Sequence, residues 1–117
     1  MNTNNSSPNN AITHAFEQIE VALNQKLKQQ GYKIVYQQPG DESPSSRSIT
    51  WLSNKNALRL TWEDTEYRFT LAFAATLPLS PETAWDVIIT APYNPGKHDE
   101  HYIVTIATEF VDRLRSV

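Results

Sequence analysis

The densest chemistry in the chain is the run His98-Asp99-Glu100-His101. Two imidazoles three positions apart share a face if the segment is helical, and a divalent cation could sit between them, with His14 the one further histidine to contribute. Such a site needs another convergent ligand and groups that orient the rings. The spacing is also not the His-Glu-x-x-His pattern of zinc hydrolases. The competing reading is a solvated first helical turn whose acids complement the helix dipole. The sequence favours that reading; metal binding at His98 and His101 stands as a weaker alternative, and no cofactor is expected.

Other catalytic patterns find no support. Without cysteine the chain has no thiol nucleophile, disulfide or Cys-ligated metal. No Gly-x-Ser-x-Gly is present, and the three glycines are isolated, so neither a hydrolase elbow nor a phosphate loop is encoded. Glu63, Asp64 and Glu66 cluster, but on an expected hairpin tip where water surrounds them. Trp51, Trp62 and Tyr67 could line a ligand pocket, although large aromatics on the inward face of a small sheet more often fill its core.

The elements that would position these groups follow from periodicity. Leu58, Leu60 and Trp62 alternate with Arg59, Thr61 and Glu63, and Tyr67, Phe69, Leu71 and Phe73 alternate with Arg68, Thr70 and Ala72. This is the period-2 pattern of two half-buried strands. Folding them over an acidic turn sets Trp62 opposite Tyr67, Leu60 opposite Phe69 and Leu58 opposite Leu71. The turn lacks the glycine that two-residue hairpins prefer, so a longer loop taking in Glu63 and Glu66 is expected, with the same pairing kept. A second turn at residues 53–56 sets Trp51 opposite Leu58 and Ile49 opposite Leu60, which selects the same inward face.

Ile12, Phe16, Ile19, Leu23 and Leu27 form one helical stripe, with Asn10 as the expected N-cap and Gly31 as the left-handed C-cap residue ahead of Tyr32. Ile103, Ile106, Ala107, Phe110, Val111 and Leu114 form another over residues 99–116. Residues 32–38 and 47–52 read as strands. Residues 85–91 alternate Trp85, Val87 and Ile89 against Asp86 and Ile88, which favours a fifth strand over a helix. The expected fold is α+β: an N-terminal helix, an antiparallel meander of four to five strands and a C-terminal helix, both helices packed on one face of the sheet. Residues 1–10 are expected to be a disordered tail and residues 11–117 a single domain.

The 117 residues carry a formal charge of −3 and a pI near 5.5, which argues against a nucleic-acid partner. The longest uncharged apolar run, residues 71–79, is too short to span a bilayer. Residues 1–10 lack the apolar stretch of a secretory signal, so a cytoplasmic location is the default expectation.

The face of the sheet away from the helices carries the functional expectation. It should present Arg59, Thr61, Arg68 and Thr70 toward the hairpin tip and Leu52, Ala72, Ala74 and Ile88 further along, a partly apolar surface rimmed by polar groups, where a solvated face would be polar throughout. The leading reading is a non-catalytic protein-interaction domain, chaperone-like or adaptor-like, forming a twofold homodimer through that face. The alternative is a small-ligand domain or minor enzyme with a cavity between helices and sheet.

Overall fold

The computed structural model describes residues 8–38, 46–94 and 100–114. The element order is α1 (Pro8–Gln29), β1 (Lys33–Gln38), β2 (Ser46–Leu52), β3 (Ala57–Glu63), β4 (Arg68–Ala74), β5 (Asp86–Pro92) and α2 (Glu100–Leu114). The strands form one antiparallel sheet in the order β1-β2-β3-β4-β5. The protein is thus an α+β fold with an N-terminal helix, a five-stranded meander and a C-terminal helix.

The helix α1 begins at Pro8, inside the segment expected to be a tail. Proline suits a first turn, where its missing N–H has no intrahelical partner to lose, so Asn10 lies within the helix and is not its cap. The other end is as expected. Gly31 adopts φ 89°, the Tyr32 N–H donates to the Leu27 carbonyl at 3.0 Å, and the Gly31 N–H to that of Lys28 at 3.3 Å. Those two bonds define a Schellman cap.

The whole stripe of α1 is buried, as are Ile103, Ile106, Ala107, Phe110 and Leu114 of α2. They share one core with Ile49, Trp51, Leu58, Leu60, Trp62, Phe69 and Leu71, so both helices cover the same sheet face. Each large apolar side chain so enclosed contributes about 1.5–3 kcal/mol. Five strands reverse direction four times between the helices, so α1 and α2 run the same way. His14 Nε2 and Glu100 Oε2 meet at 2.7 Å near their starts, and Lys26 and Asp112 line one groove further along. Among the described residues no helix is long and apolar enough to cross a membrane.

Registers decide what each face presents. Between β2 and β3, Trp51 pairs with Leu58 and Ile49 with Leu60, as expected. Ser53 closes that turn: its Oγ accepts the N–H groups of Lys55 and Asn56, each at 3.1 Å. Between β3 and β4 the pairing differs by two residues. Trp62 lies opposite Phe69, Leu60 opposite Leu71 and Leu58 opposite Phe73, because residues 64–67 form a four-residue loop that ends on Tyr67 at φ 55°. An even displacement leaves every side chain on its original face.

Candidate interaction face

The registers lay the uncovered face out in transverse rows. One row joins Leu52, Ala57 and Ala74; the next joins Thr50, Arg59, Ala72 and Val87; the third joins Ser48, Thr61, Thr70 and Thr90; the last joins Glu63, Arg68 and Pro92. The third row places a hydroxyl on each of β2 to β5. The hairpin at residues 64–67 closes one end of the face, and the turn at residues 53–56 closes the other.

A bulge sets which residue of β5 belongs here. Leu71 pairs with Ile89 but Ala72 pairs with Val87, so Ile88 drops out of the ladder. Ile88 packs against the core cluster and Val87, 62% exposed, takes the face position expected of Ile88. One extra residue in a strand reverses the alternation beyond it, and this is why the expected assignment of Ile88 is corrected to Val87. A similar bulge between Ile34 and residue 36 in β1 pairs position 36 with Thr50.

The remaining expected residues lie on this face with unequal access. Leu52, Arg59 and Arg68 are half-buried, whereas Ala72 is 9% exposed and Ala74 fully buried. The two alanines therefore form the floor of the face and offer little contact area. Trp85, just before β5, was expected to alternate with the core strand; instead its ring lies under the guanidinium of Arg59, 4.1 Å from carbon to ring centroid. A cation over an indole face is favoured electrostatically, and small residues at 72 and 74 leave room for a large ring beside them.

At the hairpin end Arg68 Nε donates to Glu63 Oε1, its cross-strand neighbour. That hydrogen bond, with Glu63 and Glu66 acting through space, raises the guanidinium pKa above its ordinary value. In the middle of the face, Thr70 is only 7% exposed and its Oγ1 has no hydrogen-bond partner. It is the sole such buried side-chain atom among the described residues. Buried hydroxyls are rarely left so.

The other candidates are dispersed. His98 and Asp99 lie outside the described residues, His101 is exposed, and His14 is engaged with Glu100. Among the described residues no group of three or more His, Asp or Glu side chains converges as a metal site would require. Trp51 and Trp62 are buried in the core. Trp62 packs on Phe69 at 4.8 Å and edge-on to Tyr67 at 5.0 Å, and its indole N–H donates to Asp64 Oδ1 at 3.3 Å. Both tryptophans are part of the core cluster. A groove of about 390 Å³ does run between the outer sides of the helices, with Val21 and Val104 on its walls, 53% and 55% exposed.

Thr61 and Thr70 lie on the face expected of them, whereas Trp85 and Val87 were missed from sequence. The hydroxyl row was the available signal: Ser48, Thr61, Thr70 and Thr90 all occupy outward positions of their strands, but they align only once the registers are known. No protein-family model, curated protein or solved structure matches the chain.

Proposed function

We propose that this chain is a non-catalytic protein-interaction domain that acts as a homodimer joined through the uncovered face of its sheet. The observation that carries the reading is Val87: an apolar side chain 62% exposed stands on the same face as half-buried Leu52, the face that neither helix covers. The hydroxyls of Ser48, Thr61 and Thr90 are open on that face to a second polar surface, while Thr70 Oγ1 is closed off within its own chain. Val87 and Trp85 beside the row add the apolar contact that a protein interface needs at its centre.

Sedimentation equilibrium at high micromolar concentration tests the proposal, with two exposed valines as paired probes. Val87→Arg on the sheet face is expected to give a monomer, and Val104→Arg on the helix face to leave the dimer intact. A strictly monomeric wild-type protein sinks the reading. Loss of the dimer in Val104→Arg alone would move the interaction to the groove between the helices. That groove also supports the second reading, a small apolar ligand held between Val21 and Val104.

A further inference from the structure

We infer that the open edge of β1 is a docking strand for an acidic, extended segment of a partner protein, which joins the sheet beside β1 and sets its carboxylates against Lys28 and Lys33. This surface lies at the rim of the sheet and is independent of the dimer reading. β1 ends the strand order and pairs on one side only, with β2. No described strand lies on its other side, so the backbone groups there are the ones through which an extended peptide adds to a sheet.

Two features beside the edge select the peptide. The first is apolar: Ile34 and its neighbour Val35 are 40% and 52% exposed, which leaves both open to side chains of an incoming strand. Ile34 pairs with Trp51 and so lies on the helix side of the sheet. There it lines a groove of about 360 Å³ with Asn24 and Lys28 of α1 and with Tyr32 and Lys33. A strand laid along β1 directs every second side chain toward that groove.

The second feature is charge. Residues 21–38 and 46–62 hold six lysines and arginines and no Asp or Glu, although the whole chain carries −3. Neither Lys28 nor Lys33 makes an ion pair among the described residues, whereas Arg47 and Arg68 both do. Lys28, in the last turn of α1, also complements the helix dipole. Lys33 is on the strand itself and has no such role.

The same charges decide between occupants. A second copy adding its own β1 would set one basic edge against another, the pairing that edge lysines discourage. β5 of a second copy is a poor strand to add, because a bulge interrupts its ladder and it ends on Pro92, which has no N–H to donate. Nor does β5 compete for the acidic segment, since it carries Asp86 and lies beside Glu109, Asp112 and Arg113 of α2. An acidic strand therefore finds one favourable edge on this molecule.

A fluorescein-labelled peptide of alternating Val and Glu, long enough to match the six residues of β1, is the probe for fluorescence anisotropy. It is expected to bind, less tightly at high salt, and a Val and Lys peptide about tenfold more weakly. Lys28 and Lys33 are both exposed, so a Lys28→Glu, Lys33→Glu double variant should keep its circular dichroism spectrum and reverse that preference. N-methylation of the probe at every valine, or at every glutamate, blocks one edge of the strand at a time; one pattern should lose binding and the other keep it. Amide shifts in nitrogen-15 spectra should centre on β1. The inference is overturned if the Val and Glu peptide does not bind at millimolar concentration, if both N-methylated forms bind equally, or if the shifts centre on β5 or on the groove between the helices. Peptide affinity that falls as protein concentration rises would give the edge to a second copy and overturn it as well.

Discussion

The indole N–H of Trp51, buried on β2, donates to Asn24 Oδ1 of α1 at 3.0 Å. This bond ties helix to sheet where the partly exposed Asn24 meets the buried indole. Asn24→Leu removes the acceptor and leaves the N–H buried and unpaired, so a loss of about 1–3 kcal/mol is expected in urea denaturation. Asn24→Asp keeps an acceptor oxygen and should lose much less. Equal losses in the two variants would mean that packing of the side chain, and not the hydrogen bond, matters.

Gly31 isolates a backbone effect. A methyl group added there meets nothing within 4 Å, but φ of 89° lies where L side chains are strained. Gly31→Ala is therefore expected to destabilise by about 1–2 kcal/mol with no steric clash, and Gly31→Asn by less, since asparagine tolerates this region better. A neutral alanine variant would show that the cap relaxes out of the left-handed conformation.

These two sites also show what sequence can and cannot disclose. The cap at Gly31 was legible because glycine followed by an aromatic residue closes a helical stripe in one local pattern. The β2–β3 register was legible because a short turn and alternation on both sides admit one solution. Alternation alone could not separate Trp62 opposite Tyr67 from Trp62 opposite Phe69, since two registers two residues apart bury the same faces; the positive φ of Tyr67 decided it. The bulge that exchanges Ile88 for Val87 leaves no mark in an apolar β-branched run. Nor does the sequence reveal that Ala74 is sealed while Val87 is open, because that depends on where Trp85 folds back over Arg59.

Glu20 supplies a pH signature. Burial raises its carboxyl pKa above the ordinary 4.5, with nearby Arg47 opposing the shift and Glu17 adding to it. The folded state thus binds a proton more readily than the unfolded one. Its contribution to stability is most favourable below the ordinary glutamate range and is lost as pH rises through the elevated folded value. Glu20→Gln is expected to flatten this part of the stability profile and to gain stability at neutral pH. Arg47 lies 3.5 Å from Glu17 and over the Phe16 ring, so Arg47→Met should steepen the fall. Urea midpoints collected across the acid range for the three proteins check the slopes; a Glu20→Gln profile parallel to wild type would remove Glu20 as the source.

Thr70→Val separates folding from association. Valine matches threonine in shape and suits a strand, and the replacement removes a hydroxyl that has no partner within the chain. The stability of the monomer, measured at low protein concentration, should therefore be unchanged or raised by up to about 1 kcal/mol. Association should be unchanged, because Thr70 Oγ1 is closed off within its own chain and a second copy cannot reach it. Thr90→Val, at the exposed end of the same row, removes a hydroxyl that a second copy can reach and should weaken association. A Thr90→Val protein that dimerises as tightly as wild type would take the hydroxyl row out of the interface. If Thr70→Val loses stability, its hydroxyl has an intramolecular role.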